Sequence, residues 1–372
     1  MRIVVDENIP LVQESFSTFG EVVAVSGRSI DKEILSGADI LLVRSVTRVD
    51  KALLDGTTVK FVASATIGID HIDTGYLREN NIGFAYAPGS NADSVAEYIL
   101  AALCVSTGWN EKKLHDLTLG IIGVGNIGSR VFKHALTLGI KPLLCDPPKK
   151  RLVHSEMYRP LHEVLAQADI ISLHVPLTME GEDKTMHMVD RSFLTHMKKG
   201  AVLINTSRGK VVDETALLDR RGELGGLVLD VWESEPAINT ELLNVTDIAT
   251  PHIAGYSFDG KIQGTKALYD AVCAWHFKKP EWQPDIKDEK KELTLTEGDE
   301  PVSMAVLQAY PIENDDRALR KILQLEKEEQ PRYFDELRRN YPKRREFSSF
   351  SLKKECCSDD VLQKLKRLGF QG

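Results

Sequence analysis

Short apolar runs alternate with helical patterns along most of the chain, and this alternation sets the fold class. Ile3–Val5, Val22–Val25, Ile40–Val43, Phe61–Ala63 and Gly83–Tyr86 read as strands, with helical spacing near 10–19, 31–36, 50–54 and 73–80. Runs that are apolar at every position mark strands covered on both faces, so the pattern predicts a parallel sheet between helical layers. From Asn91 the stretch to His115 has the spacing of one long helix, capped by Ser90 or Asn91, and it bridges to a second set of strands. These are Leu119–Ile122, Pro142–Cys145, Asp169–Val175, Ala201–Asn205, Leu227–Val231 and Ile248–His252, with helical patterns at Leu161–Ala168, Phe193–Met197 and Asp213–Leu218. A helical pattern over 258–277 is expected to return the chain to the first unit. Pro280 to Pro301 is rich in charge and proline and reads as a linker with one strand, Glu292–Thr296. Beyond it, helices are expected at 316–326, 331–340 and 358–368, and a strand at Glu346–Leu352. The fold class is α/β, with two doubly wound parallel-sheet domains, Rossmann and flavodoxin-like, a bridging helix and a small C-terminal α/β domain. The expected boundaries are 1–90 plus 256–280, then 91–255, then 281–372.

The second unit opens with a chemical signal. The first strand runs into Gly123-Val124-Gly125-Asn126-Ile127-Gly128 and then into an amphipathic helix that Gly139 stops. Gly123 permits a tight turn, Gly125 lets a pyrophosphate approach the backbone, and Gly128 lets helix and strand pack closely. The phosphates would then meet free N–H groups and the positive end of the helix dipole. The next strand ends at Asp146, eighteen residues after Gly128, where a carboxylate accepts hydrogen bonds from an adenosine ribose. Strand, glycine turn, helix, strand and terminal acid in this order predict a dinucleotide site.

Other polar residues cluster at strand ends, where ligands of open α/β sheets bind. In the first unit these are Arg44 and Ser45 after Val43, and the segment from Ser64 through Thr66 to Asp70. In the second they are Arg208, Asp230, Glu235 and His252. The group suits hydride transfer from a hydroxy acid: the histidine takes the hydroxyl proton, a carboxylate orients its ring, and an arginine grips a carboxylate in a fork. His174 also ends a strand, but no acid accompanies it, and it reads as structural.

Composition narrows the partners. A net charge of -8 argues against nucleic acid, and no apolar run is long enough to span a membrane. The opening residues run directly into a strand, without the pattern of a secretory signal. Five cysteines, at 104, 145, 273, 356 and 357, lack ligand spacing and suggest a reducing, cytoplasmic compartment. No HxH or HExxH pair points to a metal.

Residues 1 to 280 resemble the D-isomer-specific 2-hydroxyacid dehydrogenases, through ATIGIDHID, APGSNADSVAEY, GIIGVGNIG, LINTSRG, LDVWESEP and PHIAG. The resemblance implies that Arg208 binds the substrate carboxylate and that Glu235 and His252 form the acid/base pair. It further implies that Gly123, Gly125, Asn126, Ile127, Gly128, Asp146, Val175, Asp230 and Gly255 hold NAD. Val175 departs from the hydroxyl residue usual before this proline. VDENIP, LLVRSVTRVD, LLCDPP, HIAGYS and the extra tail resemble the branch of the family that oxidises a phosphorylated small 2-hydroxy acid on the way to pyridoxal phosphate. That branch implies substrate contacts from Ser45, Thr66 and Tyr256, with Arg44 beside them, and a homodimer formed through the C-terminal domain. Lys149-Lys150-Arg151 is a set of cations that could accept a 2′-phosphate, but Asp146 would repel it, which favours NAD. Lys343-Arg344-Arg345 is read either as a solvated basic run or, through Arg344 and Arg345, as cations for a phosphorylated substrate. Two further readings remain open: another family member such as a 3-phosphoglycerate dehydrogenase, and an NAD-sensing corepressor of the same fold.

Overall fold

A computed structural model describes the chain apart from residues 107–110, 287–290, 296–299, 353–357 and 372. The chain forms two compact units, one of residues 1–91 with 257–289 and the other of 92–256 with 290–372. Both sheets are parallel α/β sheets.

The first unit holds β1 (Arg2–Asp6), β2 (Glu21–Val25), β3 (Ile40–Val43), β4 (Phe61–Ser64) and β5 (Gly83–Tyr86), in the order β2-β1-β3-β4-β5. Fully buried β3 and β4 explain why their sequences are apolar without alternation. One face of the sheet is covered by Phe16, Phe19 and the returning helix Phe258–Trp275, through Leu268, Tyr269 and Val272. The other carries Leu35, Leu54 and Leu77. Asp50 and Asp73 cap the short helices Lys51–Leu54 and Thr74–Glu79 by accepting from Leu53 N and Tyr76 N, each such cap worth about 1 kcal/mol. Residues 31–36 make a turn where a helix was expected: Asp31 accepts from Ile34 N, but Gly37, at φ 71, ends the segment at once.

The second unit holds β6 (Thr118–Ile122), β7 (Lys141–Cys145), β8 (Ile170–Leu173), β9 (Val202–Asn205), β10 (Gly226–Leu229) and β11 (Ile248–Ala249). Their order, β11-β10-β9-β8-β6-β7, reverses between β6 and β8, and such a reversal opens a crevice at the carboxyl ends of the strands. The glycine turn follows β6 and so lies at that crevice. The bridging helix is described over Ala92–Ser106, buried along almost its whole length, and a 3₁₀ turn covers Glu111–Asp116. Residues between them in the expected long helix lie outside the described part.

The C-terminal residues join this second core. Pro301–Ala309 is a helix that begins at the last residue of the expected linker, with Val302, Ala305, Val306 and Ala309 buried in the cluster that contains Ala96, Ile99 and Leu103. Proline at the first helical position costs nothing, because its missing N–H would have no partner there. Glu313–Arg320, Gln330–Arg339 and Asp359–Arg367 are helices, and β12 (Lys291–Leu293) pairs in parallel with β13 (Phe350–Leu352). The strand expected over Glu292–Thr296 ends at Leu293, with Thr294 and Leu295 outside it, while Thr296 and Cys356-Cys357 lie outside the described residues. Among the described residues no helix is long and apolar enough to cross a membrane.

Candidate active site

Three adjacent strand ends of the second unit carry the chemistry. Backbone bonds from Asp230 N to Asn205 O (3.0 Å), Thr250 N to Leu229 O (3.0 Å) and His252 N to Asp230 O (2.7 Å) tie the ends of β9, β10 and β11 together. Beyond β9, Asn205 accepts from Ser207 N (3.0 Å) and Ser207 Oγ (2.8 Å) and donates to Arg208 O (3.0 Å). This side-chain turn fixes the backbone from which half-buried Arg208 projects, and its Nη1 donates to Ser207 O at 2.8 Å.

His252 stands in the left-handed region at φ 56, a conformation that costs a non-glycine residue free energy unless its surroundings impose it. The imposing group is Asp230. Its carboxylate, 1% exposed, accepts from Ile253 N (2.7 Å), Ala254 N (3.1 Å) and Thr250 Oγ1 (2.7 Å). Thr250 spends its proton on Asp230, so Tyr98 must donate in the 2.7 Å Tyr98–Thr250 bond. Burial raises the Asp230 carboxyl, an effect that His252 and these donors oppose. Asp230, expected among the cofactor ligands, accepts these three bonds from the chain itself. Its visible work is to shape the turn that presents His252.

His252 Nδ1 lies 2.7 Å from Glu235 Oε2, while Glu235 Oε1 accepts from Trp232 N at 2.8 Å. Trp232 is pinned in turn by its indole N–H on Thr250 O, at 3.0 Å. Burial pushes the Glu235 carboxyl upward, but the charge and hydrogen bond of His252, the charge of Arg338 and the Trp232 N–H together hold it below the usual range. An ionised Glu235 accepts only, so it orients Nδ1 as the donor and leaves Nε2 as the imidazole's basic nitrogen. His174 is no rival. Both its ring nitrogens are shielded and lack partners among the described residues, and burial lowers its pKa to about 3.

Arg338 was not found from sequence. It lies on the helix Gln330–Arg339 and donates from Nη2 to Tyr256 Oη at 3.0 Å. Its guanidinium carbon is 5.7 Å from the centre of the Tyr256 ring, and Tyr341 packs edge-on against the same ring. Arg344 requires a correction. It is 7% exposed, its Nη2 donates to Ser94 Oγ and to Ala254 O (2.5 Å), and it lies 4.3 Å over the Tyr310 ring. It is an internal cation clamping the backbone just after His252, with Nε and Nη1 shielded and without hydrogen-bond partners among the described residues. The triplet looked solvated because sequence does not show that its middle member points inward. Arg345 is half-buried and interacts with other residues of the chain.

The glycine turn fits a dinucleotide. Gly123 has φ 88, and a Cβ there would meet His174 O at 2.6 Å; a Cβ on Gly128 would meet Gly123 O at 2.1 Å. Around Gly125 nothing lies within 4 Å, which leaves the room a pyrophosphate needs before the helix Asn126–Leu138. Asp146 accepts from Val124 N (2.8 Å) and Lys149 N (2.9 Å), so it is fixed against the turn; Lys149 Nζ donates to Val124 O at 2.6 Å. Gly125 and Asn126 are exposed, and Ile127, Val175 and Gly255 are half-buried.

In the first unit, Arg44 is half-buried and Ser45 exposed beyond β3. Thr66 Oγ1 donates to Gly68 O (2.7 Å), so Ser64 must donate in the 2.7 Å Ser64–Thr66 bond. Ser64 then accepts from His71 Nε2 at 3.0 Å. Held in this way, the Thr66 hydroxyl offers a further partner an acceptor, not a proton.

Residues 101–254 match the family described as D-isomer specific 2-hydroxyacid dehydrogenase, NAD binding domain, and residues 286–369 match a domain of unknown function, DUF3410. Proteins named erythronate-4-phosphate dehydrogenase from Klebsiella pneumoniae and Cronobacter sakazakii are 42% and 43% identical to it, over 100% of this chain and 98% of each relative. Among solved structures, D-lactate dehydrogenase from Aquifex aeolicus, complexed with NAD and lactic acid, is 28% identical with a TM-score of 0.63. The match covers 74% of this chain and 96% of that one. The NAD-bound 3-phosphoglycerate dehydrogenase of Entamoeba histolytica is 27% identical with a TM-score of 0.64, over 74% and 95% of the two chains.

Proposed function

The chain belongs to the erythronate-4-phosphate dehydrogenases, within the D-isomer-specific 2-hydroxyacid dehydrogenase family, and on that premise we propose how its residues perform an NAD-dependent oxidation of 4-phospho-D-erythronate. The observation that carries the substrate reading is the extent of the likeness. It runs through the C-terminal residues, whereas the lactate and phosphoglycerate enzymes match only about three quarters of the chain.

NAD, when bound, accepts the hydride from C2 of the acid. The protein's tasks are then to hold the acid and to remove the hydroxyl proton. Nε2 of His252 takes that proton, and Glu235 holds the ring through Nδ1 and stabilises the imidazolium that forms. Arg208 grips the carboxylate and polarises the reacting oxygen. Ser45, Thr66 and Tyr256, with Arg44, contact the remainder of the substrate. Gly123 to Gly128 receive the pyrophosphate and Asp146 the adenosine ribose, with Val175 and Gly255 lining the cofactor. The 2-hydroxy acid and NAD+ become the 2-oxo acid, 3-hydroxy-2-oxo-4-phosphobutanoate, with NADH and one proton.

The test is the initial rate of NAD reduction with 4-phospho-D-erythronate, 3-phospho-D-glycerate and D-erythronate. The first should give the highest kcat/KM by at least about tenfold, since a charged group recognised by a built site is worth that much or more. Equal rates with all three would overturn the substrate assignment. The protein is further proposed to be a homodimer, the assembly that the C-terminal resemblance implies. Light scattering of the full chain should return twice the 41.5 kDa of one chain; a mass of one chain would refute it.

A further inference from the structure

The proposed substrate has two anionic ends, and Arg208 answers only one of them. A phosphate dianion near His252 would also meet an acidic neighbourhood, because Glu214, Glu233 and Glu235 lie together: Glu233 N donates to Glu214 Oε1 (2.8 Å), and Glu235 pairs with His252. His187, 2.6 Å from Glu233 Oε1, offsets part of that charge only when protonated. A permanent cation is needed, and it must sit beside the acid/base pair without neutralising Glu235 by direct contact.

We propose that Arg338, presented by the C-terminal helix Gln330–Arg339, is the specificity-determining residue that recognises the phosphoryl end of the substrate, with Tyr256 as its companion. This inference rests on the substrate reading given above. Arg338 reaches Tyr256 through a 3.0 Å hydrogen bond and covers its ring at 5.7 Å, and Tyr256 follows His252 by four residues. The phenol oxygen is the acceptor in that bond, so the cation polarises the phenol's own proton toward any oxygen that receives it. Nε of Arg338 is shielded and has no partner among the described residues, so the protein alone does not satisfy this guanidinium. Tyr341 packs on Tyr256 and its hydroxyl donates to Asp315 at 2.7 Å, so the placement of both groups is set by the C-terminal residues. A guanidinium supplies the planar fork that phosphate oxygens accept two at a time, which a lysine does not. The arrangement also gives the C-terminal segment a part in choosing the substrate.

The experiment compares full-length wild type, Arg338→Lys and Arg338→Met with 4-phospho-D-erythronate and with D-erythronate. Its readout is the ratio of the two kcat/KM values. Arg338→Met should lower that ratio roughly 10- to 100-fold, chiefly through KM for the phosphorylated acid, and Arg338→Lys should recover part of it. NAD affinity, measured by fluorescence titration, should stay within about twofold in each variant that the inference explains. A purely structural role would depress both acids alike and leave the ratio in place, and that result overturns the inference. If Arg338→Met does not fold, Arg338→Lys decides alone, by a lowered or an unchanged ratio. A wild type that does not prefer the phosphorylated acid would instead overturn the substrate reading itself.

Discussion

His252→Ala should lose about a hundredfold or more in kcat for the oxidation while its NAD dissociation constant stays within about twofold. The size follows from the task. With no imidazole, the hydroxyl proton has to leave to water while the hydride departs, and general-base assistance is typically worth about 10²–10⁴ in rate. The selectivity follows from place, since His252 follows β11, at the far edge of the sheet from β6 and β7, whose ends carry the glycine turn and Asp146. Alanine at φ 56 is strained as histidine is, and the Asp230 bonds to Ile253 and Ala254 remain, so the turn should keep its shape. Stopped-flow rates with circular dichroism as a check on folding would settle it. Near-normal turnover would place the base elsewhere, although His174, its ring nitrogens shielded and its pKa lowered by burial to about 3, is ill suited to replace it.

The parts of this site that were legible in the sequence are those that hang from strand ends. An apolar run fixes where a parallel strand stops, and the polar residues just beyond it must lie at the carboxyl edge, so Arg208 and His252 could be placed there, with Glu235 on the loop that follows β10. The glycine turn was legible for a different reason, because each glycine answers a steric demand that the structure shows at Gly123 and Gly128. What could not be read was carried by tertiary contact alone. The position of Asp230 at a strand end was legible, but its bonds from the Ile253 and Ala254 N–H groups and from the Thr250 hydroxyl were not, since no side-chain pattern announces them. Arg338 lies 103 residues beyond Glu235 on a helix whose charged sequence reads as a solvated face. Arg344 and Arg345 are neighbours of similar chemistry, and only packing on Ser94 and Ala254 distinguishes the buried one. The helix Pro301–Ala309 was hidden by a proline that composition assigned to a linker and that the first turn of a helix tolerates.

The second large effect is expected at Glu235. Glu235→Gln keeps the size of the side chain but removes its charge. It also leaves a conflict, since Glu235 now accepts from both Trp232 N and His252 Nδ1 and a glutamine can accept with only one of its two terminal atoms. If its NH₂ turns to the histidine, the ring is driven to the tautomer whose Nε2 carries the proton and cannot act as base, so the plateau rate should fall about 10- to 1000-fold. The charge and hydrogen bond of His252, with the charge of Arg338 and the Trp232 N–H, hold the Glu235 carboxyl below its ordinary range, so Glu235 is ionised, and accepts only, throughout a neutral assay and into mildly acidic pH. The measurement that tests the account most directly is therefore the pH dependence of kcat/KM for 4-phospho-D-erythronate oxidation, in wild type and in Glu235→Gln. The account predicts a plateau lowered about 10- to 1000-fold in Glu235→Gln; an undiminished plateau would contradict the assignment of Glu235 and His252 as the acid/base pair.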